Sequence, residues 1–257
     1  MVIKEKLVEN EINNIVAATG FRKELILKDY YITILLYLMK DIKGIYFKGG
    51  TALQLTLLDH ARISEDIDFT INRPLQEVRE EIKHTINNSG LFGKITQDKD
   101  VEKFVRLIIP YESILGKDKI FIDLNEKGNL LLEPEHINMN HFYPNIPHFS
   151  FPCLNSEEMV AEKVAAAIGR NKPRDHYDIY KLIKHQTNFN MELVRKKCEQ
   201  AGSDPSIIKM FDRAQKLHKI WNEDMLPLLV EEVGFKEVMR TLAEQFNLKE
   251  EKEKLKE

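Results

Sequence analysis

Apolar side chains are spread unevenly along the chain, and their spacing predicts the elements. Residues 4–18 read as a short helix and residues 21–41 as a longer one. In the longer segment Leu25, Ile26, Tyr30, Ile34, Leu35, Leu38 and Met39 recur at helical spacing and nearly encircle the axis, the pattern of a buried helix. Ile45-Tyr46-Phe47 is a short apolar run of strand type. Gly49-Gly50 breaks it, and a helical pattern resumes from Thr51 to Leu58. Asp66 to Ile71 alternates with period two, as a half-buried strand does, and Pro74 suits the first turn of a helix reaching about Asn87. Three more strands are predicted at Leu91–Ile95, Phe104–Pro110 and Lys119–Leu124.

The stretch Glu133–Pro152 holds four prolines and reads as an irregular connection. It marks the predicted boundary between an α/β half with N-terminal helices, residues 1–150, and a helical half, residues 151–257. Ser156 followed by Glu157 and Glu158 resembles a helix cap with acids in the first turn. Further helices are expected near 174–185, 190–201, 204–220 and 235–247, and the Lys/Glu-rich end, Lys249–Glu257, reads as a frayed helix terminus. The expected class is α+β: a mixed sheet with helices, joined to a helical bundle.

Composition narrows the class. With 43% hydrophobic and 31% charged residues, the 257-residue chain can build a packed core and is not of the disordered type. The longest strongly apolar stretch, Ile32–Met39, is far short of the roughly 20 residues a membrane helix requires. The start, Met1 to Asn10, is charged and lacks the apolar core of a secretion signal. Cys153 and Cys198 form neither a metal spacing nor a disulfide framework, which points to a reducing cytoplasm. Net charge is −3, but residues 160–220 carry thirteen Lys and Arg against seven Asp and Glu. A basic segment of this kind either attracts a polyanion or is an ordinary solvated helical surface.

The chemistry concentrates in Phe47-Lys48-Gly49-Gly50-Thr51-Ala52-Leu53 and Arg62-Ile63-Ser64-Glu65-Asp66-Ile67-Asp68-Phe69. Glycines between a strand and a helix permit a sharp turn and close approach of a ligand. The following helix start offers unpaired N–H groups and a partial positive charge, a cradle for phosphate to which Thr51 can add a hydroxyl. Asp66 and Asp68, two apart on a strand, point to one face, where two carboxylates repel unless a cation, a proton or a basic residue intervenes. Oxygen-only ligation suits Mg²⁺. Asp123 ends the apolar run Ile120-Phe121-Ile122. It either completes a three-carboxylate site for two metal ions or caps its strand at the Asn125–Gly128 turn.

The Gly-Gly-Thr turn followed by Asp-x-Asp resembles the signature of the DNA-polymerase-β-like nucleotidyltransferases. Lys48-Gly49-Gly50-Thr51-Ala52-Leu53 with Arg62-x-Ser64-x-Asp66-Ile67-Asp68-Phe69 is similar, more narrowly, to the AbiEii/AbiGii toxin family, relatives of the MenT toxins. A second block supports this: Glu162-Lys163-Val164-Ala165-Ala166, then Gly169-Arg170-Asn171-Lys172-Pro173-Arg174-Asp175-His176-Tyr177-Asp178. It resembles the family's lysine and its Arg-Asp-x-x-Asp element. The resemblance spans about residues 40–185 and implies a nucleotidyltransferase sheet with a helical C-terminal part that completes the site. Asp66 and Asp68 would be metal ligands, with Asp123 as third carboxylate. Lys48, Gly49, Gly50, Thr51, Arg62 and Ser64 would meet the nucleotide. Lys163 would face its phosphates, and Asp178, or Asp175 in its place, would orient that lysine or serve as a base. Read from residue type alone, Arg174 or Lys172 could ion-pair with Asp178. His176 reads as a helix-surface residue, and Tyr177 and Tyr180 as core.

The activity implied by the resemblance is Mg²⁺-dependent (or Mn²⁺-dependent) transfer of a nucleotide from a nucleoside triphosphate to an acceptor hydroxyl, with the 3′ end of tRNA as the expected acceptor. The chain would be the toxin of an AbiE-type, type IV toxin–antitoxin system of phage defence. Its antitoxin would be encoded nearby, and direct contact with it would not be required. The alternatives are transfer to a protein hydroxyl, or a non-catalytic nucleotide-binding module.

Overall fold

The computed structural model describes residues 7–126 and 130–254. The chain divides into two compact units, Met1–Leu154 and Asn155–Glu257. The first unit opens with α1 (Glu9–Thr19) and α2 (Lys23–Met39), followed by β1 (Ile45–Lys48), α3 (Gly49–Thr56), β2 (Asp66–Ile71) and α4 (Leu75–Ser89). Five strands complete it: β3 (Thr96–Val101), β4 (Phe104–Ser113), β5 (Gly116–Asn125), β6 (Glu135–Asn138) and β7 (Ser150–Cys153). They form one seven-stranded sheet in the order β3-β4-β5-β2-β1-β7-β6. The pairs β2–β5 and β1–β7 are parallel and the others antiparallel, so the sheet is mixed.

Strict alternation gives this sheet a core face. Phe47, Ile67, Phe69, Leu107, Ile109, Ile122 and Leu124 are completely buried, while their neighbours in sequence on the other face, buried Thr70 excepted, are half-buried. Eleven of the seventeen α2 residues are buried, as its encircling apolar pattern requires, and α1 and α4 pack against it. Tyr31 fixes α2 to the β4–β5 hairpin. Its ring stacks on Tyr111 at 4.2 Å and its hydroxyl donates to the Glu112 carbonyl at 2.7 Å.

The second unit contains α5 (Ser156–Arg170), α6 (Pro173–Lys184), α7 (Met191–Gln200), α8 (Ala214–Met225), α9 (Phe235–Gln245) and α10 (Leu248–Lys254), with short 3₁₀ turns at Ile207–Met210 and Leu226–Leu228. Asn171, in the left-handed conformation, ends α5, and Pro173 starts α6. Among the described residues no helix is long and apolar enough to cross a membrane.

Several expectations need adjusting. Leu91–Ile95 is not a strand. The strand lies at Thr96–Val101, every residue of which is exposed, and an edge strand wet on both faces carries no apolar signal. The proline-rich connection contains β6 and β7, each four residues long and too short for an alternation to show. Because β7 joins the sheet, the first unit extends to Leu154. The first helix starts at Glu9; residues 4–6 of the expected span lie outside the described residues, as do 127 and 128 of the expected turn and the last three of the tail. The segment 204–220 divides into a 3₁₀ turn and α8, and α9 is followed by a separate α10. The cap of α5 is Asn155, whose Oδ1 accepts from the Glu157 N–H at 3.0 Å; Ser156 is the first helical residue.

Candidate active site

In the first unit, antiparallel pairing puts Lys48 of β1 opposite Asp68 of β2. Parallel pairing aligns Asp68 with Asp123 of β5 and Asp66 with Phe121. Paired residues share a face, so Lys48, Asp66, Asp68, Phe121 and Asp123 all stand on the side of the sheet away from the core, where each is half-buried. Burial of Ile67 and Phe69 on the opposite side fixes this orientation, because a one-residue slip of β2 would put both acids into the core.

The strand–helix turn meets these acids directly. Gly49 has φ +80°, a left-handed conformation that favours glycine. A Cβ there would collide with the Asp68 carboxylate, standing 2.9 Å from its Cγ and 3.0 Å from its Cβ, so the Asp68 side chain lies against the start of α3. A Cβ on Gly50 would stand 3.0 Å from Arg62 Nη2 and 3.1 Å from Ser64 Oγ. Arg62 and Ser64 are buried and border the same turn. Arg62 is held by an Nη1 bond to the Ile63 carbonyl at 3.1 Å and by its own N–H to Gln54 Oε1 at 3.1 Å. Thr51 is buried and its hydroxyl donates to the Asp66 carbonyl. Its hydroxyl ties β2 to the helix start.

Asp123 carries a partner that no motif announces. Arg106 of β4 lies directly across the strand pair and grips both carboxylate oxygens, Nε to Oδ1 at 2.7 Å and Nη2 to Oδ2 at 2.6 Å. That bond, first, raises the Arg106 pKa further above its ordinary value, with Asp123 and then Asp66 adding charge attraction. The pairing was legible in principle. A hairpin turning at Ile114–Leu115 sets Arg106 and Asp123 opposite each other by simple counting outward along both strands. Among the described residues, no group of three or more His, Cys, Asp or Glu side chains is gathered to hold a metal ion.

The second block forms its own cluster within the helical unit. Lys163 of α5 places Nζ 3.1 Å from Asp175 Oδ1 and 3.0 Å from Asp178 Oδ2, and all three side chains are buried. Arg170, two turns after Lys163, forks onto Asp175 at 2.7 and 2.8 Å. Burial by itself would raise the Asp175 carboxyl, but the Lys163 charge and the Arg170 bonds outweigh it and hold the group well below the usual carboxylate range. Asp175 and Asp178 therefore meet the same lysine, which is why sequence could not choose between them. His176, expected on the surface, is completely buried; its ring nitrogens lie 2.9 Å from the Lys172 carbonyl and 2.8 Å from the Met210 carbonyl. Tyr177 and Tyr180 are buried in the core.

This architecture has known counterparts. A search of curated proteins gives no match. Among solved structures, the nucleotidyltransferase toxin MenT4 from Mycobacterium tuberculosis H37Rv is similar at 20% identity, covering 85% of this chain and 73% of its own, with a TM-score of 0.60. JHP933 from Helicobacter pylori is similar at 17% identity, covering 91% of this chain and 96% of its own, with a TM-score of 0.63. Likeness at these identities shows a shared fold. The sequence model described as "Nucleotidyl transferase AbiEii toxin, Type IV TA system" matches residues 38–248, a span that includes the glycine turn, both aspartates of β2 and the lysine cluster. The chain therefore belongs to the AbiEii family of nucleotidyltransferase toxins of type IV toxin–antitoxin systems.

Proposed function

We propose that this nucleotidyltransferase binds a nucleoside triphosphate with Mg²⁺ or Mn²⁺ and moves its nucleotide to a hydroxyl at the 3′ end of tRNA. It would act in the cytoplasm as the toxin of a phage-defence pair with an antitoxin encoded nearby. The observation that carries this reading is the contact of the Asp68 side chain with the Gly49 turn while Asp66 shares its face of β2. Two carboxylates at strand spacing beside a helix start fit a hard divalent cation that also takes phosphate and water oxygens. When bound, such an ion neutralises charge on the phosphates and polarises the phosphorus under attack.

The chain's own groups supply the rest. The N–H groups at the start of α3 face the polyphosphate, and buried Arg62 and Ser64 hold the turn in shape. The acceptor oxygen forms a bond to the α-phosphorus as the bond to the bridging oxygen breaks. Pyrophosphate leaves, and the hydroxyl proton passes to solvent or to a nearby carboxylate. Within the helical unit, Lys163 is a buried cation held between two acids. Asp175 and Asp178 orient it, a role that suits two buried, ion-paired acids better than that of a base.

The test is incubation of the full chain with each labelled nucleoside triphosphate, Mg²⁺ and total tRNA. RNase-sensitive label that disappears in the Asp66→Ala, Asp68→Ala double variant is expected. Protease-sensitive label would move the acceptor to protein, and no label with any of the four nucleotides would sink the reading.

A further inference from the structure

The third carboxylate of the catalytic face has a use other than the one its position suggests. Its two oxygens are both taken by one guanidinium, at 2.7 and 2.6 Å, in the two-point geometry that makes arginine–carboxylate pairs strong and directional. The partners are fixed by sheet register, because Arg106 and Asp123 are cross-strand neighbours on β4 and β5 while Asp68 is the neighbour of Asp123 on the other side. The pair is also packed. The Arg106 guanidinium lies over the Phe121 ring at 5.2 Å from its centroid, and Lys119 lies over the same ring at 5.2 Å. Asp123 retains only 13% of its side-chain exposure. Withdrawing Asp123 toward a metal would break a two-point ion pair and leave a partly desolvated guanidinium behind.

We propose that Asp123 serves as the anchor of Arg106 and not as a metal ligand, so that the site takes one divalent cation, with Arg106 as the fixed positive charge beside it. This rests on the assignment of Asp66 and Asp68 as metal ligands. Arginine stays protonated at every physiological pH, so the second charge on this face does not depend on metal concentration.

Mn²⁺ bound to the full chain, counted from the loss of the free-ion paramagnetic resonance signal across the micromolar-to-millimolar range, tests the inference. One ion is expected on the wild type. One ion at little-changed affinity is expected on Asp123→Asn, and none on Asp68→Asn. Arg106→Gln frees the third carboxylate and is expected to gain a second ion or to tighten binding about tenfold, a change of roughly 1.4 kcal/mol. Circular dichroism confirms that each variant is folded, and Asp123→Asn is informative even where Arg106→Gln is not. Two ions on the wild type with one lost in Asp123→Asn would overturn the inference while leaving the metal site intact, as would a folded Arg106→Gln that binds no better than wild type. No ion on the wild type, or an ion kept by Asp68→Asn, would remove the metal assignment itself and this inference with it.

Discussion

Gly49 shows how much a single hydrogen atom in place of a side chain can decide. Its φ of +80° would cost an alanine about 1–2 kcal/mol in backbone strain, and the added methyl would occupy the space of the Asp68 carboxylate. Gly49→Ala is therefore expected to lower stability by about that amount and to reduce transfer far more than the stability loss explains. Chemical denaturation and nucleotide-transfer rates at a temperature where the variant is folded would separate the two effects. Asp175 allows a different prediction. Its folded pKa lies below the unfolded value of about 3.9. Its stabilisation is thus complete above that value and is lost as pH falls through the folded pKa. Asp175→Asn leaves Lys163 and Arg170 short of a buried counter-charge and is expected to cost roughly 3–5 kcal/mol near neutral pH. The gap between the two proteins in urea unfolding should narrow on acidification below about pH 4. A gap that stays constant would mean that the ionisation of Asp175 is not its source.

At the scale of elements, what sequence revealed depended on whether an element has one wet and one dry face. β2 was legible to the residue because Ile67 and Phe69 alternate with Asp66 and Asp68, and the same alternation placed both acids on one face of the sheet. β3 was not, because neither of its faces is dry. β6 and β7 are four residues each, shorter than a period-two pattern needs to stand out, and their pairing is a tertiary fact. The start of α5 shows a smaller miss of the same kind. Asn, Ser and Glu in succession at 155–157 are all credible at a helix start, and only geometry shows that the side chain reaching back to the N–H of Glu157 is that of Asn155. Asn155→Ala should consequently cost about 1 kcal/mol, while Ser156→Ala stays within about 0.5 kcal/mol of wild type. Equal losses in thermal unfolding, or a larger loss for Ser156→Ala, would contradict that assignment of the cap.

For the molecule as a whole, the basic surplus of residues 160–220 can now be weighed against its members held in internal ion pairs. Lys163, Arg170 and Lys197 are tied to Asp175, Asp178, Glu158 and Glu162. Setting aside those three cations with Glu162, Asp175 and Asp178 leaves ten basic against four acidic residues in the segment, so the excess of six survives. It is not absorbed by internal ion pairs. Arg213, Lys216 and Lys219 on and just before α8 are exposed, a placement suited to the phosphates of a bound RNA. If the acceptor is tRNA, binding releases counter-ions and must weaken as salt rises. Three phosphate contacts to a single strand would give a loss of about tenfold or more between about 50 and 200 mM salt. Lys216→Glu with Lys219→Glu should then raise the tRNA KM severalfold and flatten the salt dependence. It should leave nucleotide binding and thermal stability unchanged, since neither side chain is part of the core. Filter binding and transfer assays over a salt series would measure this, and an unaltered slope in the double variant would place the RNA on another surface.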